Sequence, residues 1–311
     1  MRIAVIDCGT NTFNLLVVDL NKSSFHSVHS SKIPVKLGEG GINHSVINEV
    51  PFKRGVDALM QFQEKIKELS VDHTHAFATS AIRDASNGLK FKEEVHRSSG
   101  INIHIIDGDK EADLIYMGNK LAVKLTEQPS LIMDIGGGST EFIIGNKDQI
   151  FWKKSYRLGA ARLLERFKPS DPITSEEIEQ FNAYLNEQLT DLNEAVLKYK
   201  PVELIGSSGA FDSVTEMIHG QLNGEPFVKT KTEYEIALPD YATIAEKVIA
   251  STIQQRREMK GLVEMRVDMM VVSCLLISFI MNSYQLQKIR VSTYSLKEGA
   301  LHEIMERNGT N

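Results

Sequence analysis

Ile132-Met133-Asp134-Ile135-Gly136-Gly137-Gly138-Ser139-Thr140-Glu141-Phe142-Ile143-Ile144-Gly145 reads as strand, tight turn, strand. An apolar run from Leu131 enters an Asp, three glycines follow closely, and apolar residues leave the turn. Consecutive glycines let the backbone take left-handed φ values and let a ligand come close to bare N–H groups. Successive N–H groups in such a turn make an anion-binding nest, and Ser139 and Thr140 add hydroxyl donors. Asp134 and Glu141 add carboxylates of the kind that hold Mg²⁺ or its waters. Taken alone, the stretch is equally a glycine-rich hairpin with no ligand.

A second stretch has the same layout: Val5-Ile6-Asp7-Cys8-Gly9-Thr10-Asn11-Thr12-Phe13-Asn14-Leu15-Leu16-Val17-Val18. A shift of 127 positions, without a gap, sets Asp7 on Asp134, Gly9 on Gly136, Thr12 on Ser139 and Asn14 on Glu141. A repeat of domain size predicts two similar α/β units, each offering a phosphate turn to a shared cleft. The boundary falls between residues 126 and 127, with a C-terminal helix over about 295–311 available to pack back on the first unit.

Composition agrees. A chain of 311 residues fits about two domains. With 42% hydrophobic and 24% charged residues it can bury a large core, as ordinary globular chains do. A net charge of −6 argues against broad binding to a nucleic-acid polymer. A polyanionic substrate would then need basic residues gathered locally and a divalent cation to screen it. The longest apolar run, Met269 to Met281, is interrupted by Ser273, Cys274 and Ser278. It falls short of the ~20 residues of a membrane span, so a buried helix is expected and a membrane is not. Met1-Arg2 leads straight into a strand without a signal-peptide layout. Cys8 and Cys274 lack metal or redox spacing, which suits core thiols in a reducing cytoplasm.

Along the chain, strands are expected at 2–7, 13–20 and about 25–36, and an amphipathic helix at 52–69. A strand at 75–79, helices from Ala81 and over about 88–98, and a strand at 102–106 follow. The next helix covers 109–123, with Asp109 as its candidate N-cap. Strands at 130–134, 139–145 and 149–157 repeat the three-strand opening. Helices follow at 160–167 and 175–198, the second begun by the capping-box-like Thr174-Ser175-Glu176-Glu177. A short strand at Val202 to Ile205 leads to a helix from Gly209. Further helices are expected at 240–257, 264–284 and 295–307, with a strand at 288–292. Gln221 to Thr232, with Gly224 and Pro226, reads as the most mobile loop. His73 and His75 read as loop residues.

Three strand-to-helix junctions carry candidate chemistry. Thr79-Ser80-Ala81-Ile82-Arg83-Asp84 opens a helix, where anions bind, and Arg83 one turn in can reach a phosphate. It is equally a capped turn with a solvated Arg–Asp pair. Asp107-Gly108-Asp109-Lys110-Glu111-Ala112-Asp113 is crowded with charge. These acids complement a helix dipole, or Glu111 faces the cleft and positions an attacking water. Gly206-Ser207-Ser208-Gly209-Ala210 misses the nucleophile elbow by one residue, because Ala210 stands where its last glycine would be. Its small residues suit a packing turn or a phosphate chain laid against Ser208 and Gly209. Arg157, Arg162, Arg256, Arg257 and Arg266 are further guanidinium candidates. The chain has no Walker-type P-loop, no His-Glu-x-x-His and no Cys-x-x-Cys.

Asp7-x-Gly-Thr-Asn-Thr, Lys36-Leu37-Gly38-Glu39-Gly40, Thr79 through Ala85 and Asp134 through Glu141 together resemble the exopolyphosphatase/guanosine pentaphosphate phosphohydrolase (Ppx/GppA) family. Leu158-Gly159-Ala160-Ala161-Arg162-Leu163, Gly206 through Gly209, Arg266-x-Asp268 and Val291-Ser292 through Leu301 continue the match over essentially the whole chain, in the short, two-domain form. The resemblance implies an α/β fold of two ribonuclease-H-like domains of the actin/Hsp70/sugar-kinase superfamily, with the active cleft between them. It implies hydrolysis of a terminal phosphoanhydride with Mg²⁺ as cofactor, on inorganic polyphosphate or pppGpp, and a homodimer. Position by position, it makes Glu111 the water-orienting catalytic residue. Asp134 and Glu141 become catalytic and metal-associated acids, with Asp7 beside them. Gly9, Thr10, Asn11, Thr12, Gly136, Gly137, Gly138 and Ser139 become the phosphate turns, joined by Arg83, Ser208 and Gly209. The family usually has Glu-Glu-Ala-Arg where this chain has Lys110-Glu111-Ala112-Asp113, so the field at Glu111 is expected to differ. Ala210 and Lys297 replace a common Thr and Arg. A non-catalytic (p)ppGpp or polyphosphate sensor and an ATP-dependent phosphotransferase are the alternatives.

Overall fold

A computed structural model describes residues 1–21, 24–225 and 227–309, with the side chains of residues 223, 308 and 309 left undescribed. Pro226, in the loop expected to be mobile, lies outside the described residues. Strands β1 (Arg2–Cys8), β2 (Thr12–Leu20) and β3 (Phe25–Pro34) form an antiparallel meander. Helix α1 (Glu49–Glu68), strand β4 (His73–Ala78), the single turn α2 (Ser80–Arg83), α3 (Gly88–Ser99), β5 (Ile103–Ile105) and α4 (Gly108–Ala122) follow. β4 and β5 join in parallel, giving a five-stranded sheet of order β3-β2-β1-β4-β5.

The second sheet opens the same way with β6 (Ser130–Ile135), β7 (Thr140–Gly145) and β8 (Ile150–Tyr156). Then come α5 (Ala160–Phe167), α6 (Ser175–Gln188), α7 (Thr190–Tyr199), β9 (Leu204–Ser207), α8 (Ser208–Met217), β10 (Glu233–Ile236), α9 (Leu238–Ile249), α10 (Ile253–Arg257), α11 (Met270–Ser283), β11 (Ile289–Ser292) and α12 (Leu296–Gly309). The six-stranded order is β10-β11-β9-β6-β7-β8, with β9 parallel to both β6 and β11. Both sheets therefore share the ribonuclease-H-like start, three antiparallel strands followed by parallel ones. The registers repeat too: Asp7 pairs with Asn14 and Asp134 with Glu141.

Strand alternation distributes the apolar side chains between two faces. Ala4, Ile6, Phe13 and Leu15 turn to one side of the first sheet and pack with Leu59, Phe62 and Phe91. Leu131, Met133, Phe142 and Ile144 do the same in the second, against Phe181, Leu185, Phe211 and α11. The remaining faces, Ile3, Val5, Leu16 and Val18 of one sheet and Ile132, Ile143 and Ile205 of the other, share one core with α4 and α12. Each such fully buried side chain stabilises the fold by roughly 1.5–3 kcal/mol. The two helices touch backbone to backbone. A Cβ at Gly299 would fall 1.8 Å from the Leu114 carbonyl oxygen, and one at Gly118 2.0 Å from that of Ser295. α11 is apolar on nearly every side and buried, as its sequence implies. No helix among the described residues is long and apolar enough to cross a membrane. Cys8 and Cys274 are buried free thiols.

Several boundaries differ from the sequence reading. The N-cap of α4 is Asp107, which accepts the Lys110 N–H at 2.7 Å, so Asp109 lies inside the helix. The helix expected over 175–198 breaks at Leu189, after the Thr174–Glu177 capping box has begun it. Residues 240–257 form two helices, the second restarted by a capping box between Thr252 and Gln255. Residues 264–266 make only a short 3₁₀ turn before α11. Ile218–Asn223 extend α8 as a π-helical turn, and β10 is an edge strand that the sequence reading does not contain. His73 and His75 belong to β4 rather than to a loop.

Candidate active site

A cleft of about 410 Å³ runs between the sheets, lined by both glycine turns, Asp7, Asp134, Glu111, Ser208 and Gly209. The turns are the β1–β2 and β6–β7 connections, and they have matching geometry. A Cβ at Gly9 would lie 3.0 Å from the Thr12 carbonyl oxygen, and one at Gly136 3.0 Å from that of Ser139. They also touch one another. A side chain at Gly137 would meet Thr10 at 2.9 Å, and one at Gly138 would meet both Thr10 Oγ1 and Ser80 Oγ at 2.6 Å.

Each turn has its carbonyls satisfied from behind. The Thr10 and Asn11 carbonyls accept from Val35, Lys36, Leu37 and Gly38, which explains the Lys36-Leu37-Gly38 stretch. The Gly136 and Gly137 carbonyls accept the first free N–H groups of α5, from Ala160, Ala161 and Arg162. Among the described residues, the N–H groups of Thr10, Asn11, Gly137 and Gly138 donate to no backbone carbonyl outside the strand ladders. They are the donors an anion would use. The Thr12 hydroxyl is buried without a partner, and the Asn11 amide reaches Met269 Sδ at 2.9 Å.

Four carboxylates converge here. Asp7 accepts from Asn14 at 3.0 Å, and burial pushes its carboxyl up to about 6, against the opposing charge of Lys297. Asp134 accepts from the hydroxyls of Ser207 and Ser208 at 2.6 Å each, and from Ser295 of the loop before α12. Glu141 lies behind the cleft wall, accepts from Ser155 at 2.6 Å, and is pushed up to about 7 by burial and by Asp134. Glu111 is 6% exposed. Burial and the Glu141 charge hold its carboxyl well above the usual range, and Arg83 pulls the other way. Arg83 also stands behind the wall, donating to Glu111 Oε2 at 2.7 Å and to the Ile106 carbonyl at 3.2 Å. The start of α4 is fixed against β8: a Cβ at Gly108 would fall 2.6 Å from that of Ser155, the residue that holds Glu141.

The two residues that depart from the family pattern around Glu111 have partners elsewhere. Lys110 pairs with Glu303 of α12, and Asp113 with Lys153 of β8 at 2.6 Å. Both side chains are thus engaged away from Glu111, and the strongest charges acting on it are Glu141, Arg83 and Asp7. Ser208 takes a positive φ of 71° at the head of α8, and its hydroxyl serves Asp134. Gly209 lies against Arg266, whose Nη2 a Cβ would approach to 1.9 Å, so any side chain there would displace that guanidinium. Of the other guanidinium candidates, Arg256 is buried on Asp171 and the Val267 carbonyl, and Arg257 pairs with Glu264 on the surface. Arg162 is buried between the units rather than in the cleft.

Sequence reasoning does not reach Ser207 and Ser295 as holders of Asp134, nor Lys32 and Lys229 on the cleft wall. The available signal for Lys32 is its place on β3, in register with Asn14.

Comparison with known proteins shows the family to which the chain belongs. An exopolyphosphatase from Cytophaga hutchinsonii of known structure is 39% identical and superposes with a TM-score of 0.96, over 99% of this chain and 98% of that one. A putative exopolyphosphatase of Haemophilus influenzae is 27% identical over 99% of this chain and 92% of its own. A guanosine-5'-triphosphate,3'-diphosphate pyrophosphatase of Pseudoalteromonas translucida is 26% identical over 97% of this chain, which spans 59% of that relative. Residues 16–308 match the Ppx/GppA phosphatase family, and the chain belongs to that family.

Proposed function

We propose that this chain is a Mg²⁺-dependent phosphoanhydride hydrolase that releases orthophosphate from the end of inorganic polyphosphate, or from the 5′ end of pppGpp. The observation that carries this reading is the convergence of two donor turns and a buried, Arg-held glutamate on one cleft. In this reading the two units divide at residues 126 and 127.

The terminal phosphoryl group sits between the two turns, whose free N–H groups take its negative charge. Water attacks phosphorus in line, a new P–O bond forms, and the bridging P–O bond breaks on the far side. Glu111 accepts the proton of the attacking water, a task suited to a carboxyl whose proton affinity is raised by burial. Arg83 orients Glu111 and adds positive charge. The products are orthophosphate and a chain shorter by one phosphate.

No group of three or more metal-ligating side chains lies within reach of one ion among the described residues. Mg²⁺ characteristically takes one or two carboxylates and completes its shell with water and phosphate oxygens. Of the three acids expected to hold it, Asp7 and Asp134 line the cleft and fit that role, whereas Glu141 is buried behind the wall on Ser155. Bound there, Mg²⁺ would supply charge neutralisation to the phosphates.

Polyphosphate is the favoured substrate. The described cleft lining has no aromatic side chain on which a guanine could stack, whereas Lys32, Lys229, Arg266 and Lys297 offer cations to a chain of phosphates. The test is phosphate release from long-chain polyphosphate, tripolyphosphate, pppGpp and ATP, with Mg²⁺ and with EDTA. Mg²⁺-dependent release from polyphosphate supports the reading. Binding without release would make the chain a sensor, and turnover that needs an acceptor hydroxyl would make it a phosphotransferase.

A further inference from the structure

Arg162 lies at the head of α5, 5% exposed, with its guanidinium extended across the seam between the two sheets. On its own side Nε donates to the Gly138 carbonyl at 2.8 Å, within the second phosphate turn. On the other side Nη1 donates to the Ile42 carbonyl at 2.7 Å, and Nη2 to Asp84 Oδ2 at 3.1 Å. Asp84 closes α2 and lies 3.5 Å from Arg83 Nε. Arg83 in turn holds Glu111. One continuous polar path thus runs from the Gly138 carbonyl through Arg162, Asp84 and Arg83 to Glu111, and Arg162 is its crossing point.

A guanidinium suits this crossing because it is planar and presents several donors in fixed directions. Its three main acceptors here belong to three different segments, residues 138, 42 and 84. All three are in place only when the second turn is seated against α2, the contact in which Gly138 touches Ser80. With Arg162 absent, Asp84 keeps Arg83 and Arg157 as its cations, and its pull on Arg83 competes with Glu111.

We propose that Arg162 is a positioning residue for the hydrolysis: it couples closure of the second phosphate turn to the orientation of the Arg83–Glu111 pair. This inference rests on the hydrolase reading above. It assigns Arg162 no contact with substrate.

The test is steady-state kinetics with polyphosphate and Mg²⁺ on the wild type, Arg162→Gln, Asp84→Asn, Arg83→Gln and the Arg83→Gln/Arg162→Gln pair, with amide hydrogen exchange on the same proteins. Arg162→Gln is expected to lower kcat by ~30- to 100-fold while KM moves less than ~3-fold, since sub-ångström misplacement of a base acts on the chemical step. In the Arg83→Gln background the same change should cost less than ~3-fold, because residues acting as one unit are not additive. Exchange should rise at residues 80–84 and 108–112 and stay unchanged in α1. Asp84→Asn breaks the path at its next link and covers the case in which Arg162→Gln does not fold. An additive loss, a loss confined to KM, or exchange changes confined to α5 would overturn the inference. An inactive wild type would sink the hydrolase reading instead, and the exchange pattern would still decide whether Arg162 controls the segment around Glu111.

Discussion

Arg83 donates to Glu111 Oε2 at 2.7 Å, and the glutamate it holds is buried among other acids. Arg83 thus acts on Glu111 against both burial and the neighbouring acids. Replacing Glu111 by Gln keeps the volume and a hydrogen bond but removes the base. We expect kcat to fall at least ~100-fold with a modest change in KM, the signature of a lost general base. Near-wild-type turnover by that variant would remove Glu111 from the mechanism.

The same pair sets a pH dependence. A general base works when ionised, so activity is lost as pH falls through its folded pKa. Burial already raises that pKa, and Arg83 lowers it. Arg83→Gln removes the opposing charge, so the acid limb of the kcat profile should move to higher pH. A limb that stays in place or moves to lower pH would contradict the assignment.

Asp7 and Glu141 predict how Mg²⁺ and pH combine in stability. Their folded carboxyls sit at about 6 and about 7, above the ordinary range. Groups raised in this way favour the folded state at low pH and lose that contribution as pH rises through the folded value. Without Mg²⁺, the contribution of these two acids should therefore decline between about pH 4 and pH 7. Mg²⁺ competes with protons for the Asp7 oxygens on the cleft, so its stabilisation should be larger at pH 8 than at pH 5. At ~100-fold excess over Kd the ceiling is about 2.7 kcal/mol, readable as a shift in Tm. Equal shifts at both pH values would exclude Asp7 as a ligand.

Gly138→Ala would place a methyl 2.6 Å from both Ser80 Oγ and Thr10 Oγ1. Overpacking of this kind costs about 1–3 kcal/mol, and here it would separate the two turns that, in the proposed mechanism, share the phosphate. Thermal unfolding should register the cost, and kcat/KM for polyphosphate should fall by at least ~10-fold for the lost alignment.

Lys110→Gln and Asp113→Asn should each leave kcat within ~3-fold of the wild type, because their partners are Glu303 and Lys153 rather than Glu111. Half-exposed pairs of this kind contribute about 0.2–1 kcal/mol, so only small changes in Tm are expected. A large fall in kcat for either variant would restore the field at Glu111 as the explanation.

What the sequence makes legible follows from how local each signal is. The two turns are readable because Asp, glycine and hydroxyl residues recur at one spacing, and the matched contacts of Gly9 and Gly136 are the physical form of that repeat. The break at Leu189 is hidden because Leu185, Leu189 and Leu192 keep an apolar period through it, with no glycine or proline to mark the end. The restart at Thr252 had a signal, Thr followed three residues later by Gln, inside a longer apolar pattern. The edge strand Glu233–Ile236 does alternate, Tyr234 and Ile236 against Glu233 and Glu235, but four residues are the shortest run in which such a period can be read. The partners of Lys110, Asp113 and Arg162 come from distant segments, and no local pattern contains them.

The placement of α12 has a consequence for how the molecule is made. Leu296, Ala300 and Leu301 cover the face of the first sheet that carries Ile3 and Val5, residues from opposite ends of the chain. That face is therefore shared between α4, close by in sequence, and α12, a helix separated from β1 by the whole second sheet. A contact of such long sequence separation must close a large loop before it stabilises anything, so the first sheet completes its core late in folding, together with the second rather than ahead of it.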